Sequence, residues 1–79
     1  MKKVLIGNGG HAREVMAQMG VNLLRFVDEQ YVDNDTLPLS KFDPNKHVAM
    51  VAIANSRDRY DIIQRLPKET QFFTFIHPT

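Results

Sequence analysis

The segment that most constrains this chain lies at its start. The apolar run Val4-Leu5-Ile6 is followed at once by Gly7-Asn8-Gly9-Gly10, and then by residues spaced for a helix. A short run rich in β-branched residues and ended by glycines is the pattern of a strand buried on both faces in a parallel sheet. From His11 to Met19 the apolar residues Ala12, Val15, Met16 and Met19 fall at i, i+3, i+4 and i+7, one face of a helix. Gly20 follows where a left-handed C-terminal cap is wanted. The spacing therefore predicts a strand, a tight glycine turn and a helix that packs back on the sheet.

The rest of the chain repeats that alternation. Leu23, Leu24, Phe26 and Val27 make a second apolar stretch ending at Asp28-Glu29, which puts these carboxylates at the C-terminal end of a second strand. Residues 30–44 concentrate turn formers (Asp33-Asn34-Asp35, Pro38, Pro44), so that at most a short strand around Leu39 survives there. His47 to Ala54 is the most hydrophobic window and reads as a central third strand. Asn55 or Ser56 can cap a second helix, whose apolar stripe is Ile62, Ile63 and Leu66 and which Pro67 ends. Phe72, Phe73, Phe75 and Ile76 make a fourth strand running into His77-Pro78-Thr79, with most of its aromatic rings expected in the core. Strands alternating with helices imply right-handed crossovers. The expected fold class is α/β, a small Rossmann-like domain over residues 1–79 with a four-stranded parallel sheet in the order two, one, three, four.

Charge and composition remove several classes of function. A net charge of +1 with scattered Lys and Arg gives no electrostatic footprint for nucleic acid or an anionic membrane, and neither partner is expected. Met1-Lys2-Lys3 followed by three apolar residues imitates a signal peptide, but Gly7 ends the run far short of an h-region. The chain has no cysteine, so thiol redox chemistry and thiolate metal sites are excluded, and a cytoplasmic setting suits it.

Gly7, Gly9 and Ala12 fit a G-x-G-x-x-G/A pattern placed between a strand and a helix. In that position the glycines permit close backbone approach, and the helix's first free N–H groups and its dipole face a phosphate. Asp28, sixteen residues after Ala12 at the end of the second strand, stands where such folds place an acceptor for a ribose or base. A nucleotide ligand follows from the two together. The same residues also admit a plainer reading, a tight turn and a solvated loop. A nicotinamide dinucleotide would call for a second mononucleotide-binding half, for which 79 residues leave no room.

The turn extended to Gly7-Asn8-Gly9-Gly10-His11-Ala12-Arg13-Glu14-Val15 resembles the G-x-G-G-H-G-R-E-V opening of sialic-acid O-acetyltransferases and UDP-4-amino-sugar N-acetyltransferases, one family of left-handed β-helix sugar acetyltransferases. Phe26-Val27-Asp28, Val51-Ala52-Ile53-Ala54-Asn55 and Ile76-His77-Pro78-Thr79 are similar, in order, to that family's F-x-D, V-A-I-G-D and I-H-P-S, so the resemblance covers the whole chain. It implies the N-terminal domain that binds a UDP-sugar, ending where a hexapeptide-repeat β-helix begins. That missing part is implied to carry the catalytic histidine, the acetyl-coenzyme A site and the contacts of a homotrimer. The fragment alone is accordingly expected to be inactive and monomeric, with no catalytic residue and no cofactor of its own. The parent enzyme would serve surface-polysaccharide or glycan biosynthesis in bacteria. The sequence departs from the family at Ala12 and at Ala54-Asn55-Ser56, which stands for G-D-N. The other class of reading is a stand-alone nucleotide-binding or interaction module without catalysis.

The candidate substrate-binding residues are Gly7, Asn8, Gly9, Gly10, His11, Asp28, Asn55 and Arg59. His11 can donate to a ligand or cap its helix. Arg59 matches the arginine of the family's G-D-N-x-x-R and can reach a phosphate or face water. No metal site is expected: His47 and His77 lack ligand spacing, and Asp33-Asn34-Asp35 lacks the glycine and terminal glutamate of a calcium loop.

Overall fold

The computed structural model describes residues 1–74. Five strands, β1 (Lys2–Ile6), β2 (Leu24–Val27), β3 (Leu37–Pro38), β4 (His47–Val51) and β5 (Gln71–Phe72), form one sheet in the order β3-β2-β1-β4-β5. Every adjacent pair is parallel. Two helices, α1 (Gly10–Met19) and α2 (Ser56–Arg65), complete the α/β architecture.

The sheet corrects the expected strand count and order. Instead of four strands in the order two, one, three, four, a fifth is added outside β2, where Leu37 and Pro38 pair with Phe26 and Val27. The short strand allowed around Leu39 thus lies at Leu37–Pro38, with Leu39 starting a 3₁₀ turn, and Pro38 is tolerated because an edge position spares it from donating to a ladder. The four expected strands keep their order relative to one another. β4 stops at Val51 rather than Ala54, and β5 stops at Phe72. The part of the expected last strand at Phe75-Ile76, with His77-Pro78-Thr79, lies outside the described residues.

β1 is central and pairs with both β2 and β4, which is why Val4, Leu5 and Ile6 are fully buried. Burial of each such side chain contributes about 1.5–3 kcal/mol. Alternation along β1 sends its residues to two cores. Leu5 meets Ala12, Val15 and Met16 of α1, together with Ala52. Val4 and Ile6 meet Phe26, Leu39, Phe42 and Ala49, together with Ile62 and Leu66 from the α2 side. Phe26 and Phe42 pack edge to face with ring centroids 5.7 Å apart. His47 packs against both rings, and its Nδ1 accepts from the Asp43 amide at 3.1 Å, so this histidine belongs to the core wall.

The aromatic residues near β5 divide. Phe73 packs on the α1-side core beneath the Lys3 ammonium, whereas Phe72 is the exposed ring of the pair, at 50%. Asp33-Asn34-Asp35 is an Asx turn: Asp33 Oδ1 accepts from the Asp35 amide at 2.9 Å and from the Thr36 hydroxyl at 3.0 Å. Those two bonds hold the Asp33 carboxyl below its usual pKa, the Asp35 amide first.

Candidate functional site

A cleft of about 590 Å³ opens at the carboxyl ends of β1 and β2, the usual ligand crevice of an open α/β sheet. Its floor is Ile6, Phe26, Val27 and Ile53. One wall is the glycine turn Gly7-Asn8-Gly9, another is Asp28 with Gln30 and Tyr31, and the third is a stripe of α2. That stripe comprises Asp58, Asp61, Ile62 and Arg65, at i, i+3, i+4 and i+7.

The three glycines of the turn play different parts. Gly7 has φ +116°, and a Cβ there would lie 2.9 Å from the Ala52 carbonyl oxygen. Its amide donates to the Phe26 carbonyl at 2.8 Å, which fixes the turn where β1 and β2 end. Glycine at this position is thus a requirement of the backbone. Gly9, at φ −82° and ψ −166°, precedes α1 in ordinary extended conformation with open space beside its Cα, as has Gly10. Among the described residues no side chain caps α1, and the Arg13 amide is the first to reach back into the turn, at 3.2 Å from the Gly9 carbonyl. The amides of Gly10, His11 and Ala12 therefore have no partner within the ten-residue helix, and at its positive end Gly10 and His11 are exposed while Ala12 is buried.

Asn8 is held from outside the turn, its Oδ1 accepting from Arg25 Nη1 at 2.8 Å. Asp28 caps the short 3₁₀ turn Glu29–Tyr31, with Oδ1 accepting from the Gln30 amide at 3.2 Å. Its Oδ2 is paired with Arg65 Nη1, and Arg65 Nη2 also lies 3.5 Å from Glu29 Oε2. The Arg65 hydrogen bond is the main reason the Asp28 carboxyl titrates below its usual range, with the Gln30 amide second. Glu29 is lowered as well, chiefly by its own amide and that of Ser40, which donates to Oε1 at 3.1 Å.

Of the residues expected at the site, Gly7, Asn8, Gly9 and Asp28 line this one cleft. Gly10 and His11 are exposed in the first turn of α1, just beyond its wall. Asn55 caps α2, its Oδ1 accepting from the amides of Arg57 and Asp58 at 3.0 Å each. Arg59 is exposed and turns back toward the Ile53 carbonyl, 3.5 Å away, rather than lining the cleft. Sequence reading missed Arg65, Asp61 and Arg25. The i, i+3, i+7 spacing of Asp58, Asp61 and Arg65 was visible, but the side of α2 that faces the sheet's carboxyl edge was not.

Among the described residues no group of three or more His, Asp or Glu is placed to hold a metal ion, and no helix is long and apolar enough to cross a membrane. Compared with family models, curated proteins and solved structures, the chain matches none.

Proposed function

We propose that the cleft binds a nucleotide sugar, most simply a UDP-sugar, and that the chain is the substrate-binding part of a bacterial, cytoplasmic sugar N- or O-acetyltransferase dependent on acetyl-coenzyme A. The observation that carries the ligand assignment is the meeting of two features across one cleft. The glycine turn leads into uncapped helix amides on one side, and Asp28 stands at the end of the neighbouring strand on the other. Amides at a helix N-terminus suit a diphosphate, and a carboxylate one strand away suits a ribose hydroxyl. The acetyltransferase assignment rests on the resemblance of the Gly7–Val15 stretch and its three companion segments to that family.

On this reading the domain contributes position rather than proton transfer. In the parent enzyme a base on the β-helix takes the proton of a sugar amine or hydroxyl. The freed nitrogen or oxygen attacks the thioester carbon, the C–S bond breaks, and the coenzyme leaves as a thiol. Nucleotide contacts far from that carbon hold the acceptor within reach of it. The 79-residue chain alone should then neither turn over acetyl-coenzyme A nor form a stable trimer.

A chemical-shift titration with UDP, UDP-N-acetylglucosamine and NAD tests the ligand. The two UDP ligands should move Gly7 through Arg13 and Asp28, with affinity in the high-micromolar to millimolar range, roughly 4–6 kcal/mol. A preference for NAD, or no response at millimolar UDP, overturns the assignment.

A further inference from the structure

Asp28, Asp58 and Asp61 all line the cleft, and among the described residues Arg65 is the one cation that does. A diphosphate approaching the glycine turn meets three carboxylates, and the half charge of one helix N-terminus offsets only part of that repulsion. Arg65 is the residue able to offset the rest, but its guanidinium is engaged by Asp28 and Glu29. Arg65 donates to Asp28 Oδ2, while Oδ1 accepts from the Gln30 amide. A ribose hydroxyl donating to Oδ2 would share that oxygen with Arg65 Nη1 and weaken its hold on the guanidinium.

We propose, on the strength of the nucleotide reading above, that Arg65 is the residue that selects phosphorylated ligands. It exchanges its bond to Asp28 for a bond to a ligand phosphate as the ribose hydroxyl takes its place. The exchange conserves hydrogen bonds. Arg65 Nη1–H passes from Asp28 Oδ2 to a phosphate oxygen, and the ribose O–H donates to the vacated Oδ2. A nucleoside lacking phosphate offers no such anionic partner, so a guanidinium released from Asp28 is left with water and Glu29. The pair is suited to exchange because its side chains are open to water, Arg65 at 44% and Asp28 at 30%, and ion pairs so exposed are weak. Both ligand ends are within one cavity, whose wall includes Asn8 and Gly9 as well as Asp28 and Arg65.

The test is a titration of the wild-type chain and of Arg65→Met with UDP, UMP and uridine, with amide spectra of each variant confirming the fold. The wild type should prefer UDP to uridine by at least about tenfold, the effect of one charge-assisted hydrogen bond. Arg65→Met should weaken UDP about tenfold while leaving uridine unchanged or slightly tighter, so that the preference collapses. Arg65→Lys, which keeps the charge but loses the fork, should fall between. An unchanged UDP-to-uridine ratio in Arg65→Met overturns the role of Arg65 and leaves the nucleotide assignment standing. Failure of the wild type to bind UDP overturns both. Should Arg65→Met not fold, Arg65→Gln carries the same comparison.

Discussion

The two helices are equal in length and opposite in how they are held. α1 buries Ala12, Val15 and Met16 and ends in a left-handed Gly20 whose amide returns to the Met16 and Ala17 carbonyls, while its N-terminus has no side-chain cap among the described residues. α2 buries Ile62 alone within its span and is fastened at its start by Asn55. A helix anchored by packing and by its C-terminal cap can leave its first amides free for a ligand. A helix with little packing depends more on its cap, and a satisfied cap removes two of the amides an anion would use. The comparison teaches why the glycine turn, and not the similar strand-to-helix junction at Asn55, carries the binding role proposed above.

Substitutions can break this contrast. The largest effect should come from Gly7→Val, which forces a branched residue to φ +116° against the Ala52 carbonyl and should cost about 3 kcal/mol in urea denaturation. Asn55→Ala comes next. It should cost about 1 kcal/mol and leave UDP affinity unchanged, and a loss of affinity would show that the α2 junction contacts the ligand. Gly9→Val should cost less than about 1 kcal/mol, since the position is extended and open, yet abolish UDP shifts by blocking approach to the α1 amides. Stability lost as heavily as in Gly7→Val would erase the distinction between the two glycines.

The smallest effect is one of pH. Asp28, with its folded pKa lowered chiefly by Arg65, contributes stability that is present above the ordinary carboxylate range, about 4, and is lost as pH falls through the lowered value. Glu29 and Asp33 act in the same sense. Arg65→Met should therefore shallow the fall in stability below about pH 4, as followed by thermal unfolding at several pH values.

What the sequence made legible follows from the range of the forces involved. Val4-Leu5-Ile6, the glycine turn, the α1 stripe and the Gly20 cap are each written in neighbouring residues, and each stands where the pattern put it. The Asn55 cap was equally local. The β3 strand was legible only as a short strand allowed around Leu39, because two residues including a proline leave no periodicity and their place is set by pairing with β2. Aromatic content marked the last strand but not which ring faces out, since Phe72 and Phe73 are adjacent and only Phe73 reaches the core. The Arg65 pair joins residues 37 apart, through a helix orientation that only the folded sheet supplies. The cleft's glycine wall and Asp28 could be read from the chain, whereas its α2 wall and the Asp28–Arg65 pair could not.

Pro38 on the outermost strand has a consequence for how copies of this molecule meet one another. A bare parallel edge is a template on which a second chain can lay down a strand, the route to fibrils and to swapped dimers. On the β3 side that template is two residues long, and Pro38 lacks an N–H to offer. Nucleation of intermolecular cross-β structure is thus obstructed along this border. Concentrated solutions should resist gelation from this side, and Pro38→Val, by restoring a donor and lengthening the β-prone run, should raise the dye-detected aggregation rate.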